Sequence, residues 1–592
     1  MFLRPHHRKK DGKENTYWSL VETTRTSDGP RQRTLCYLGE LNDSAHGRWI
    51  KTLEVFNKQG ESHQLKLFPV GVEPPAKDPD VAQILIHKVR LERTRQLGPC
   101  YLGLHLWKQL KLDQLFEQNM DGLGPEVPWS KVAAVLAINR LCAPGSELAV
   151  EQRWYPTTAL QDLLRIAEGK LNDSRLYRCL DQLLPHKTKL EQHLKQRYGE
   201  LFAADFDVLL YDLTSTYVEG AAEQNPMLRR GYSRDHRPDC QQLVLGLIVN
   251  VEGLPLSYEV FSGNRADVST LEVMMRVVER KYGKARRIWV FDRGIVSEAN
   301  LEAIRKRDGQ YLVGTPRSQM KQFEAELLNQ EEWFRVRPEV EVKKVGTSTG
   351  EETFILCRTT GRKEKEKAIR NRFSNSLEKA LKSLERTIEK GRLKNRDKIH
   401  VRLGRIQAKH PNALDLYEME IRETLHGLRL HWKMKEQQQA WREAREGAYL
   451  LRTNLQGENA AELWQKYMQL TEAEAAFRAL KSELSLRPIF HQLEKRVKAH
   501  VLVAFLGYAL WVTLKHLLIA KQTDLSPAKA LALLSTLQSA DIVLPTTDGR
   551  EIRLRRVTEP SLEQKQLLAK LGLELPKQLD PAFECSADFR TA

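Results

Sequence analysis

Cysteine is scarce in this chain. Seven are scattered over 592 residues (Cys36, Cys100, Cys142, Cys179, Cys240, Cys357, Cys585), and no two form a CxxC pair. An odd, dispersed set argues against a disulfide framework and a zinc site, and for a reducing compartment. Long apolar runs are missing too. The N-terminus, MFLRPHHRKKDGKEN, has no apolar stretch of signal-peptide length. The most apolar segment, VLVAFLGYALWVTL at 501 to 514, lies between His500 and Lys515. It is too short to span a bilayer and reads as a buried helix. There is no internal repeat and no low-complexity tract. Negative charge is in deficit, with 77 Asp and Glu against 94 Lys and Arg, a formal +17. With 41% hydrophobic and 29% charged residues the composition is globular, and the length calls for several domains. The surplus of positive charge favours a polyanionic partner, with nucleic acid first, although basic surfaces also occur without one.

Patterning divides the chain. Residues 1–72 predict a small β-rich module with a hairpin about Asp28-Gly29-Pro30, and prolines mark a linker at 72–80. Residues 81–200 predict a helical domain for DNA binding, dimerisation or plain packing, with helix starts at Pro128 and Asp173-Ser174. From 201 to 316 the pattern turns to strands: FDVLLYDLT, QQLVLGLIVN and PLSYEVFSGN. A helix near 268–282, the strand RIWVFD, a helix capped by Ser297 and the strand QYLVGTP follow, which predicts a mixed α/β layer. Residues 317–455 predict a β-rich and helical insertion. Within it, 361–410 carries 17 Lys and Arg against 6 Asp and Glu, with Phe373, Leu377, Leu381, Leu384 and Ile388 at helical spacing. That cationic face suits either solvent or phosphate. The α/β layer resumes over 456–525. A C-terminal extension, 526–592, follows, with a hairpin signal at Asp548-Gly549.

Two strands with no polar face run into a carboxylate. Val208, Leu209, Leu210 and Tyr211 lead to Asp212, and Ile288, Trp289, Val290 and Phe291 lead to Asp292. Carboxylates within reach of each other repel, and they must share a proton or bind a cation. Hard oxygen donors suit Mg²⁺, and two such ions about 3.5–4 Å apart drive in-line phosphoryl transfer. A third acid is then expected, and YMQLTEAEAAFRALKSELSLRP, 467–488, offers one. On a helix, Leu470, Ala473, Phe477, Leu480 and Leu484 form an apolar face. Tyr467, Glu474, Arg478 and Lys481 form a neighbouring stripe within roughly 60° of arc. An ordinary surface pair of Glu474 with Arg478 is the alternative. The loop RRGYSRDHRPDCQQ, 229–242, brings Arg234 and Arg237 as phosphate contacts or as a solvated loop, with Asp235 and Asp239 as rival ligands. Asp207 is a weaker rival, because five residues separate it from Asp212 and the two point to opposite faces.

Taken together these residues resemble the DDE transposases of bacterial insertion sequences, the IS-4-like superfamily. The resemblance covers about 200–525 most strongly. It implies a ribonuclease-H-like mixed sheet with flanking helices, interrupted by the insertion and preceded by the β module and the helical domain. The family's first aspartate, ending the first strand, matches Asp212 in YDLTSTYVEG, and the second, ending the fourth strand, matches Asp292 in VFDRG. The signature around its glutamate is Tyr, two residues, Arg, three residues, Glu, six residues, Lys. Tyr467, Glu474 and Lys481 match it, and Leu470 stands where Arg is expected. Arg478 is the candidate to replace that arginine. The resemblance implies Asp212, Asp292 and Glu474 as catalytic residues and ligands of two Mg²⁺ ions, with Mn²⁺ as a substitute and Asp212 bridging. It implies DNA contacts by Tyr467, Arg478, Lys481, Arg234, Arg237 and Arg293. The expected chemistry is DNA cleavage and strand transfer by a homodimer holding transposon ends and target DNA, in the cytoplasm or on the nucleoid and away from membranes. Relatives often form a hairpin on the transposon end with an aromatic stacked on a flipped base; Trp432 and Trp441 are candidates for that, or for core packing. Two rivals stay open: a nuclease of the same fold that cuts without joining, and a non-catalytic DNA-binding descendant.

Overall fold

The computed structural model describes residues 84–122, 126–220, 224–346, 351–424, 427–546 and 551–579, together with the backbone of five strands before residue 65. The chain divides into two compact units. One comprises Met1–Phe202, Tyr217–Pro226 and Arg478–Ala592; the other comprises Ala203–Thr216 and Met227–Phe477.

The first unit opens with an antiparallel meander, β1 (Phe2–Lys10), β2 (Lys13–Thr26) and β3 (Gly29–Glu40). The expected hairpin is the β2–β3 connection; Asp28, like the linker at 72–80, lies outside the described residues. Short strands β4 (Glu54–Phe56) and β5 (Ser62–Gln64) follow, then β6 (Arg90–Gln96). Three of the helices after it matter most: α1 (Gly98–Gln109), α2 (Trp129–Cys142) and α3 (Asp173–Leu183). Pro128 directly precedes α2, where its missing N–H costs nothing. The cap of α3 is Asn172, one residue before the expected start, and its side chain accepts the Arg175 N–H.

The second unit is built on β7 (Val208–Val218), β8 (Gln241–Val249), β9 (Pro255–Ser262), α4 (Leu271–Tyr282), β10 (Ile288–Phe291), α5 (Glu298–Arg305) and β11 (Gln310–Gly314). This is the expected alternation. Ser297 caps α5 by accepting the Asn300 N–H. The apolar runs explain the layer: Leu209, Leu210, Tyr211, Leu247, Ile248, Val290, Phe291 and Leu312 are fully buried, as strands covered on both faces must be. β10 runs parallel to β7 on one side and to β11 on the other, while β8 and β9 are antiparallel.

Next come β12 (Phe334–Arg337), β13 (Val340–Gly346) and β14 (Thr353–Thr359), helices α6 (Thr360–Glu389) and α7 (Arg396–Lys409), the hairpin β15 (Tyr417–Thr424) and β16 (Gly427–Met434), and β17 (Ala448–Thr453). The boundary expected at 317 is not a sheet boundary. Strands β12, β13, β14 and β17 continue the same sheet, whose order is β12-β13-β14-β17-β11-β10-β7-β8-β9. The exposed edge of β11 would leave unpaired backbone groups, and β17 covers it. Only the helices and hairpin between β14 and β17 form a separate lobe with its own core. The unit ends with α8 (Ala460–Met468) and α9 (Leu470–Arg478).

The chain then returns to the first unit with α10 (Glu494–Ala520), 27 residues long. By length and composition α10 could cross a membrane, but 72% of its apolar window is buried, and it packs on α2 and α3. Strands β18 (Gln538–Pro545) and β19 (Glu551–Val557) form the expected C-terminal hairpin, with Asp548-Gly549 outside the described residues. They join β4, β5 and β6 in one sheet, ordered β5-β4-β19-β18-β6. The N-terminal module, the helical domain and the C-terminal extension, separable by composition, thus share a sheet.

Candidate active site

Asp212 does not end its strand, contrary to expectation. β7 continues through Leu213, Thr214, Ser215 and Thr216, all buried, so the carboxylate stands mid-strand and half-buried. Asp292 lies just past the end of β10 and is exposed. The parallel register pairs Leu210 with Val290, so two residues further on Asp212 and Asp292 come level on adjacent strands and the same face.

The third acid stands on α9, anchored by buried Leu470, Ala473 and Phe477, with Glu474 on its exposed side. The segment is not the single helix that the spacing predicts. α8 stops at Met468, Gln469 turns, and α9 gives way at Ala479–Glu483 to a wider, π-type turn. Tyr467 and Glu474 therefore sit on different helices. The Tyr467 hydroxyl donates to Asp292 Oδ1 at 3.1 Å, so it holds a carboxylate in place. Burial, followed by the Asp292 charge, raises the pKa of the Tyr467 hydroxyl well above its ordinary value and keeps it a donor. Leu470 is 7% exposed, which explains why the signature's arginine is missing here: a guanidinium at 470 would be buried. Arg478 is exposed, and Lys481 is half-buried within the wide turn.

The other two acids act on Asp212. Burial pushes the Asp212 carboxyl up to about 6, and the charges of Glu474 and Asp292 push the same way. The Leu213 N–H, which donates to Asp212 at 2.8 Å, and the Arg234 guanidinium oppose them. Arg234 is itself held. Its backbone N–H donates to Ser215 Oγ at 2.8 Å, and its guanidinium pairs with Asp267 at 2.6 Å. Sequence reading missed Asp267 and Ser215, and nothing local marks either one. It also missed Gly314, where a Cβ would stand 2.7 Å from the Tyr467 oxygen and 3.2 Å from Asp292 Oδ1. A glycine closing the apolar run QYLV was the available signal.

The remaining candidates are spread out. Arg237 forks onto Asp239, which holds that carboxyl down at about 2. Asp207 is exposed before β7, and its carbonyl accepts the Ile288 N–H. Arg293 is exposed beside Asp292. Trp432 packs on the lobe core with Nε1 3.4 Å from Glu385, Trp441 packs against a cluster containing Met320 and Phe354, and both tryptophans are partly buried.

Among the described residues no three His, Cys, Asp or Glu side chains stand close enough together to share one ion. The donor chemistry still fits hard divalent cations. Glu474 and Asp292 raise the cost of ionising Asp212, and the Arg234 guanidinium that opposes them is already engaged by Asp267.

Comparison with known proteins adds two family matches. Residues 3–61 match the N-terminal domain of IS1634 family transposases, and residues 204–510 match the transposase DDE domain. No curated protein sequence matches the chain. A solved structure, titled the cryo-EM structure of piggyBac transposase synaptic complex with hairpin DNA, aligns with 73% of this chain and 79% of that one. The identity is 7% and the TM-score 0.36.

Proposed function

The chain belongs to the DDE transposases, and from that premise we propose that it cuts DNA at the ends of an insertion sequence and joins the cut strand to a target. The observation that carries this reading is the parallel register that brings Asp212 and Asp292 level on one face, where burial and the charges of Glu474 and Asp292 push the Asp212 carboxyl up. An acid that burial and two other carboxylates hold above its ordinary range is costly to ionise unless cations complete the site. Asp212, Asp292 and Glu474 would hold Mg²⁺, with Mn²⁺ as a substitute. When bound, such ions activate an attacking water or 3′-hydroxyl and stabilise the leaving oxygen.

The protein's own groups have distinct tasks. Tyr467 fixes Asp292 by donating to Oδ1, and Gly314 leaves room for that contact. Arg234, set by Ser215 and Asp267, partly offsets the charge on Asp212. Arg293, Arg478 and Lys481 are assigned to the DNA phosphates, where charge-assisted contacts position the backbone. The ribonuclease-H-like reading is supported by three successive strands, then two parallel strands reached through α4 and α5, with the acids level on adjacent strands. A homodimer follows from the need to hold two DNA ends.

The test is Mg²⁺-dependent cleavage of the element's own end by wild type and by Asp212→Ala, Asp292→Ala and Glu474→Ala, with binding measured in parallel. All three variants should bind and none should cut, and a strand-joining assay then separates transposition from cutting alone. Normal cutting by Glu474→Ala would remove that residue from the site.

A further inference from the structure

More than half of the chain's positive surplus sits in one lobe of the second unit. Residues 360–434 hold 20 Lys and Arg and 10 Asp and Glu, ten of the seventeen net charges. The lobe has its own core, in which Leu377, Leu381 and Leu384 of α6 meet Ile399 and Leu403 of α7 and Leu430 of β16. Most of its acids are used internally. Glu378 accepts the Tyr417 hydroxyl, Glu389 pairs with Arg429, Glu418 with Lys433, and Asp415 with Arg442.

The cations of α7 and the loop before it are not used in that way. From 390 to 409 there are eight Lys and Arg and one acid, Asp397. All eight cations are exposed, and none has a side-chain hydrogen bond or ion pair among the described residues. α7 also spends little of its length on packing: of its 14 residues only Ile399 and Leu403 are buried. Lys398, Arg402, Arg405 and Lys409 recur at steps of four, three and four, which places them on one stripe. At about 1.5 Å per residue the stripe is roughly 16 Å long. Like charges at these steps repel, so the stripe costs stability unless a polyanion covers it. A membrane surface is a poor match. An interfacial helix needs an apolar face to insert, and the apolar face of α7 is already in the lobe core, with Val401 alone left outside at 57% exposed. Gln407, the only amide on α7, is turned to the Met419 sulfur at 3.8 Å rather than presented outward.

We propose that α7 and the loop before it form a docking surface for the phosphate backbone of duplex DNA, gripping without reading sequence and separate from the carboxylate site. The choice of DNA among polyanions rests on the proposed activity; the surface itself does not. The test uses the full chain carrying Lys398→Gln, Arg402→Gln, Arg405→Gln and Lys409→Gln together. Binding to a short duplex is measured against salt, for the element's end and for an unrelated sequence. Backbone neutralisation of four phosphates predicts that the slope of log affinity against log salt flattens by about 3–4, equally on both duplexes. A second variant that exchanges Lys and Arg at the same four positions should keep the slope, and unchanged circular dichroism certifies the fold. Asp212→Asn, which disables the carboxylate site, should keep the slope as well. An unchanged slope in the quadruple Gln variant overturns the proposal. So does a loss confined to the element's end, or wild-type binding to anionic vesicles or RNA in preference to duplex DNA. Wild type that binds with the full slope and never cuts would sink the proposed activity and leave the docking surface standing.

Discussion

Replacing Asp212 by Asn should make the folded protein more stable while abolishing cleavage. The native carboxyl is lifted from its ordinary 3.8 to about 6, mainly by burial. The native state therefore holds the proton more tightly than the unfolded state does. Stability is fully retained below about pH 4, falls as pH rises from about 4 to 6, and stays lowered above that. At about 1.4 kcal/mol per pH unit the full cost at pH 8 is about 3 kcal/mol, an upper figure because water still reaches part of the group. Asn keeps an oxygen for the Leu213 N–H and never ionises. Thermal unfolding at pH 8 should show Asp212→Asn about 3–5 °C above wild type, as a unit of more than 200 residues converts that energy. The gain should shrink below pH 6 and vanish near pH 4. Mg²⁺ should raise the wild-type midpoint and leave the Asn variant nearly unmoved. A variant gain of equal size at pH 4 and pH 8, or no gain at either, would refute the reasoning, since neither follows from a carboxyl held above its ordinary range.

Other perturbations probe the same site. Tyr467→Phe removes the donor to Asp292 Oδ1 and should slow cleavage about tenfold with DNA binding unchanged, as single-turnover kinetics would show. Gly314→Ala puts a methyl 2.7 Å from the Tyr467 oxygen; cleavage should drop about 100-fold, and adding Tyr467→Phe should recover stability relative to Gly314→Ala alone. Leu470→Arg restores the signature residue and should still fail to help, because the position is buried. Denaturant unfolding should show a loss of about 2 kcal/mol or more and cleavage no faster than wild type.

Sequence reading singled out Asp212 and Asp292 because fully apolar β-runs leave few explanations for a following Asp, and the alternation of strands and helices over 201–316 matched the observed order. It placed Glu474 on the exposed side of its helix because an apolar face at Leu470, Ala473 and Phe477 fixes which side is free. It went astray where local pattern is silent about backbone continuity. Asp212 lies mid-strand because residues after it go on pairing and being buried, and the hydrogen bond from Tyr467 to Asp292 joins residues 175 positions apart, which no local pattern reveals.

Composition and periodicity alone settled the charge surplus, the cationic stripe of the lobe and the apolar character of α10, all of which are properties of neighbours along the chain. Only the tertiary structure decided that β12, β13, β14 and β17 extend the large sheet, and that β4, β5 and β6 share a sheet with the C-terminal hairpin. It alone brought Asp267, Ser215 and Gly314 to the site. Those pairings join residues up to hundreds of positions apart. They are selected by burial of edges and matching of surfaces, quantities that exist only once the chain has folded.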